Sequence, residues 1–158
     1  MTLRQMLRVL GIAVAAVVMV AGNALALTAQ DLVGTWTIVS LTGDPYGPNP
    51  KGYLIFDANG RFIQLLTRPD LSKFAANKRD QGTAEEYKAA YLGTLGFFGT
   101  YTVNVTELTR HVEGSEYPNM IGTDQKLTVT LTGDELKYSN PNPVAESSPI
   151  VVVWKRAK

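Results

Sequence analysis

The chain carries one histidine, His111, two residues before Glu113. On a strand, residues two apart share a face, so an imidazole and a carboxylate would meet there. The carboxylate would raise the basicity of the ring and make it a general base. If that face looks inward, Gln125 and Tyr101 join the pair in an internal polar patch. Three roles fit such a patch: a satisfied hydrogen-bond network that fixes strand register, a surface that touches a ligand, or catalysis. Leu108, Arg110 and Val112 occupy the opposite face of the same segment, and a one-residue bulge would exchange the two faces.

The other candidates each have a plain structural alternative. Tyr53, Phe62, Phe97, Phe98 and Tyr101 lie in apolar runs and either fill a core or line a ligand box. Arg68, before Pro69-Asp70, either faces an anionic ligand at the mouth of a cavity or pairs with Asp70. Asn119 follows Pro118 in a loop.

Composition narrows the chemistry further. There is no cysteine in the 158 residues, which removes disulfides, thiolate catalysis, iron–sulfur clusters and cysteine-based zinc sites. A single histidine cannot build a multi-histidine metal site. No glycine-rich phosphate loop or nucleophile elbow is present, so neither metal nor cofactor is expected. The net charge of +1 lacks the basic excess of a nucleic-acid binder. With 45% hydrophobic and 18% charged residues, the chain has enough apolar side chains for a folded core.

Period-two alternation dominates the sequence. Thr35, Thr37 and Val39 alternate with Trp36, Ile38 and Ser40, and Gln125, Leu127, Val129 and Leu131 alternate with Lys126, Thr128, Thr130 and Thr132. Two apolar runs flank Asp57-Ala58-Asn59-Gly60, and Asn-Gly supplies the positive φ that a tight hairpin needs. Further strands are expected over 97–105, 108–116, 135–139 and 150–156, with a hairpin turn at Thr106-Glu107. Thr83-Ala84-Glu85-Glu86 is a capping box. The helix it starts runs to Leu92 and stops at Gly93; no other helix is expected. Eight strands joined mostly by short links should form an antiparallel sheet that either packs as a sandwich or closes into a barrel, and an eight-stranded barrel leaves room for one small ligand. In a barrel, the helix with its Tyr87/Tyr91 stripe should lie over the mouth, as a movable lid or as a fixed cap.

Residues 1–26 are expected to be a secretory signal peptide. Arg4 and Arg8 precede an apolar or small-residue run of 14 from Val9 to Gly22, followed by Ala24-Leu25-Ala26. The run is shorter than the roughly 20 residues a spanning helix needs. Cleavage after Ala26 would leave a domain of 132 residues, 27–158, with no membrane span and a charge of −1, both removed charges being arginines. The mature protein would be periplasmic or secreted.

Gly34-Thr35-Trp36 resembles the G-x-W that opens lipocalins. The resemblance implies a tryptophan plugging the closed barrel end, with a basic residue from the last strand, Arg156 or Lys155, over its ring. More specifically, the chain is similar to the bacterial and fungal lipocalin-like domain family, a calycin-type barrel. The matching pieces are Pro45-Tyr46-Gly47-Pro48, Gly52-Tyr53-Leu54-Ile55, Gly60-Arg61, Arg68-Pro69-Asp70, Gly99-Thr100-Tyr101, His111-Val112-Glu113-Gly114-Ser115, Pro118-Asn119 and Gly122-Thr123-Asp124-Gln125. They span nearly all of 27–158. The chain departs from ordinary lipocalins in its helix between the third and fourth strands and in having no helix after the last strand. It departs from the lipocalin-like family at Arg110, where a second histidine is common.

The expectation is therefore an all-β protein: an antiparallel, eight-stranded, up-and-down lipocalin-like barrel with one short helix between strands 3 and 4. It should bind a small, largely apolar molecule in the barrel, with Tyr53, Phe62, Arg68, Phe98, Tyr101, His111, Glu113, Asn119 and Gln125 as contacts. Two alternatives stand beside it. One is a cofactor-free isomerase or cyclase using His111 and Glu113. The other is a structural or interaction module whose barrel is filled by its own side chains; cavity volume separates that reading from the first two.

Overall fold

Each expected alternating segment becomes a strand, because only one of its two faces is apolar enough to leave water. In the computed structural model, which describes residues 26–43, 45–144 and 146–158, the strands are β1 (Gly34–Leu41), β2 (Lys51–Phe56), β3 (Arg61–Thr67), β4 (Thr94–Asn104), β5 (Glu107–Ser115), β6 (Asp124–Thr132), β7 (Glu135–Asn140) and β8 (Ile150–Arg156). Each pairs antiparallel with the next, and β8 pairs with β1, so the sheet closes on itself. Closure removes the two edges that an open sheet would expose. The expected signal segment lies outside the described residues except for Ala26. Among the described residues no helix is long and apolar enough to cross a membrane.

The up-and-down order sorts the connections by length. The links β2–β3, β4–β5 and β6–β7 are tight hairpins at one end. The four longer links, β1–β2, β3–β4, β5–β6 and β7–β8, gather at the other and form a mouth. At the hairpin end, Gly60 takes φ 79°, and the Asp57 carboxylate accepts from the backbone N–H groups of Asn59 and Arg61 at 2.8 Å each. The β4–β5 turn falls one residue earlier than expected, at Val105-Thr106. Val105 sits at φ 56°, a region that β-branched residues avoid. Its carbonyl accepts from the Leu27 N–H at 3.1 Å, which ties the start of the described chain to that turn.

The hairpin end is sealed. Trp36 is fully buried, and its indole N–H donates to the Leu32 carbonyl at 2.8 Å. Leu32 belongs to α1 (Ala29–Leu32), a single turn too short to show a helical period, and so missing from the one-helix expectation. A 3₁₀ turn at Pro118–Met120 escapes detection for the same reason. The Arg156 guanidinium lies 4.1 Å from the Trp36 ring centre. It also donates to the carbonyls of Val33 at 2.9 Å and Asp31 at 2.8 Å. One cation thus covers the plug and collects the carbonyls at the end of α1. Phe56, Phe62 and Tyr101 are buried together, with Phe56 edge to face with Tyr101 at 4.7 Å and 6.5 Å from Phe62.

The helix α2 (Ala84–Leu92) has the expected capping box: Glu86 N–H donates to Thr83 Oγ1 at 3.2 Å, and Thr83 N–H to the Glu86 carboxylate at 2.7 Å. Its stripe is not buried on the barrel as expected. Tyr87 and Tyr91 are exposed, and no residue of α2 is buried. Tyr87 packs instead against Phe74, at 5.4 Å and nearly perpendicular, while its hydroxyl accepts from the Gly82 N–H at 2.9 Å. The long β3–β4 connection supplies its own small core, so the helix need not lean on the barrel.

Removing the plug, Trp36→Ala, should cost about 3–5 kcal/mol, because a large side chain leaves a rigid site. Arg156→Ala should cost less. The double mutant should show coupling of about 0.5–2 kcal/mol in urea denaturation; strictly additive losses would remove the cation–π contact from the account.

Candidate functional site

The identity of the inward face of β5 decides the site. Leu108 and Val112 are fully buried. Their burial carries every second residue of that segment inward, and the residue between them is Arg110, 2% exposed. His111 and Glu113 consequently point outward. The conditional expectation that they face the interior fails, because two aliphatic side chains gain more from leaving water than an imidazole and a carboxylate would. A bulge is present, but it sits at Glu113. Phe98 pairs with Gly114 and Gly99 with Val112, which leaves Glu113 unpaired. Only beyond it does the inward parity change. Gly99 is required there: a Cβ at this position would lie 1.9 Å from the His111 carbonyl oxygen.

Inside, Arg110 organises a polar belt. One terminal N–H group donates to Gln64 Oε1 at 2.8 Å and the other to Gln125 Oε1 at 2.7 Å. The Tyr138 hydroxyl also donates to Gln64 Oε1, at 2.9 Å. The guanidinium carbon lies 5.3, 5.0 and 5.0 Å from the ring centres of Phe62, Phe97 and Tyr138. Arg110 forms no ion pair among the described residues, and its Nε is buried without a hydrogen-bond partner. Burial pushes its pKa below the ordinary arginine value, and Tyr138 pushes the other way. Taking such a cation out of water costs on the order of several kcal/mol. Two charge-assisted hydrogen bonds of about 1.5–3 kcal/mol each and ring faces of up to about 2 kcal/mol each offset that cost without neutralising the charge.

Arg110 lines a small, partly open cavity of about 30 Å³, together with Gln64, Leu66, Leu95, Phe97, Gln125 and Tyr138. Above it, at the mouth, lies an open hollow of about 540 Å³ walled by Arg68, Tyr91, Leu92, Glu116 and Tyr117. Tyr46, Leu95 and Glu146 border both spaces. The buried Tyr46 hydroxyl donates to Glu146 at 3.0 Å, which links the β1–β2 and β7–β8 loops across the opening. Burial first, then the Glu146 charge, pushes the Tyr46 phenol far above its ordinary pKa, so it stays a donor. Burial likewise raises the Glu116 carboxyl, which accepts from the Gly96 N–H.

The expected contacts therefore scatter. Phe62 and Gln125 belong to the belt. Arg68 borders the mouth but is held by Asp70 in two bonds of 2.9 Å. Tyr101 is buried at the sealed end, its hydroxyl on the Asp57 carbonyl at 2.9 Å. Tyr53 and Phe98 are about half exposed on the outer surface. His111 meets Asp124 at 2.7 Å, and Glu113 meets Arg61 at 3.0 Å, so the two do not pair with each other. Asn119 is exposed and bonded to the Tyr117 hydroxyl at 3.2 Å. No imidazole–carboxylate pair faces the cavity among the described residues, which takes away the group on which the isomerase reading rested. Sequence reasoning missed Arg110, Gln64, Tyr138, Tyr46 and Glu146. The available signal was a polar residue at an apolar parity: Gln64 between Phe62 and Leu66, and Arg110 between Leu108 and Val112.

A closed, meandering eight-stranded barrel, plugged at one end by a tryptophan under an arginine and open to loops at the other, is a lipocalin-like barrel. The profile of the lipocalin-like domain family matches residues 33–157, and the chain belongs to that family. It is 35% identical over 90 residues to a 4'-hydroxy-3'-methoxypropiophenone carrier protein of Aspergillus oryzae, a match covering 52% of this chain and 81% of that one. A crystal structure of an uncharacterized protein from Bacteroides eggerthii DSM 20697 is 15% identical, with 80% of this chain and all of that one aligned at a TM-score of 0.43.

Gln64→Leu should cost about 2–4 kcal/mol, because it orphans a charged N–H and the Tyr138 hydroxyl together. Adding Arg110→Met should recover part of that loss, since the orphaned charge is gone. Urea midpoints that show the two changes adding independently would contradict the shared network.

Proposed function

We propose that the protein carries a small, largely apolar aromatic molecule in the mouth and upper interior of the barrel. The observation that carries this reading is the pairing of the 540 Å³ mouth hollow with a buried, partly unsatisfied polar belt directly beneath it. The hollow's wall mixes aromatic and aliphatic side chains with Arg68, Glu116 and Glu146, and its volume falls in the range of about 300–1,000 Å³ that ligand sites occupy. The carrier protein with which the chain shares 35% identity is named for an aromatic ketone, which supports the same class of cargo.

A second reading has its own support. The cavity of about 30 Å³ beside Arg110 holds little more than a water-sized group, as a barrel filled by its own side chains would. In the carrier reading the Tyr46–Glu146 link opens, and hollow and cavity join. Titration with 4'-hydroxy-3'-methoxypropiophenone separates the two. A carrier shows saturable one-site quenching of tryptophan emission and a melting temperature that rises with ligand concentration. Tyr46→Phe, which cuts the link, should speed association. Neither quenching nor a thermal shift with this ketone would leave the filled-barrel reading.

We propose further that the chain is exported, with residues 1–26 removed as a signal peptide. The order of Arg4/Arg8, the 14-residue apolar run and Ala24-Leu25-Ala26 supports this. Sequencing the N-terminus of protein recovered outside the cytoplasm should start at Leu27; a start at Met1 would overturn it.

A further inference from the structure

We infer that Arg110 is the anchor for an anionic ligand end, so that the cargo is a small aromatic oxyanion such as a carboxylate. This rests on the carrier reading above and specifies its ligand. A guanidinium has five N–H donors in a fixed fork suited to a carboxylate. The Arg110 donors that are occupied bond to two neutral amide oxygens, and Nε has no partner among the described residues. The aromatic rings around it contribute quadrupoles, not a counter-charge. A cation 2% exposed, with no ion pair among the described residues, is a site built for an anion supplied from outside.

The space agrees with this. The cavity beside Arg110, about 30 Å³, takes a head group but not a ring. A ring behind that head group would pass Leu95 and Tyr46 and end in the hollow above. The carboxylates of Glu116 and Glu146 border that hollow, Glu146 borders the cavity beside Arg110 as well, and both oppose an anion. Both are only partly buried, so water screens them, whereas Arg110 acts in a low-dielectric interior where each charge counts for more. Arg68 at the mouth is already matched by Asp70 and leaves the balance to Arg110.

Calorimetric titration at neutral pH with three probes of nearly one shape tests the inference: para-methoxybenzoate, its methyl ester, and para-methoxybenzylammonium. The purified protein should bind the benzoate at least about tenfold more tightly than the ester and should not bind the ammonium. In Arg110→Met the preference should vanish while the ester still binds. If that variant does not fold, Arg110→Lys should keep the preference for the anion with weaker binding, because a point charge replaces the fork. Equal or tighter binding of the ester by the unmodified protein would overturn the anionic anchor and leave the carrier reading standing. Binding of none of the three would also overturn the anchor, and the ketone titration would then decide the carrier reading separately.

Discussion

An arginine charge enclosed in an apolar barrel is the constraint to which the upper half of this structure answers. Two fully buried aliphatic neighbours on β5 commit Arg110 to the interior. Once there, the cation dictates its surroundings: carbonyl oxygens from β3 and β6, and ring faces from β3, β4 and β7. Even Gln64 is shared, since it must accept from Arg110 and from Tyr138 at once. The anchor proposed above would give that unpaired charge a role.

The two ends of the barrel divide the labour. At the hairpin end, Trp36, Leu32 and Arg156 form a closed unit whose polar groups are met by neighbouring carbonyls. At the other end, among the described residues, a hydrogen bond from Tyr46 to Glu146 joins two proline-containing loops. A hydrogen bond of that kind is worth roughly 1 kcal/mol net, far less than the packed plug. In the carrier reading proposed above, movement that admits a ligand would belong to the loop end.

The architecture was legible because its signals are local. Asn59-Gly60 marks a hairpin, Thr83 and Glu86 mark a helix start, and strict alternation marks β6; the structure has all three. The site was less legible because it depends on which parity of one strand turns inward. His111 and Glu113 look like chemistry in the sequence, yet their partners are Asp124 and Arg61 on neighbouring strands of the outer surface. Arg110 looks like a solvated residue until Leu108 and Val112 are weighed against it. Tyr53 and Phe98 sit on the outer parity of β2 and β4, where aromatic character alone misleads. The mouth was not legible at all, because Tyr46 and Glu146 are a hundred residues apart and meet only after the barrel closes.

The central claim is that a charged guanidinium is held, shielded from water, beneath the mouth of the barrel. The Nε–H of Arg110 reports on this directly in a proton–nitrogen correlation spectrum at neutral pH, assigned by its absence in Arg110→Met. The account predicts a resolved, slowly exchanging resonance that shifts when para-methoxybenzoate is added. A resonance that exchanges as fast as those of surface arginines, unchanged by the benzoate, would contradict it.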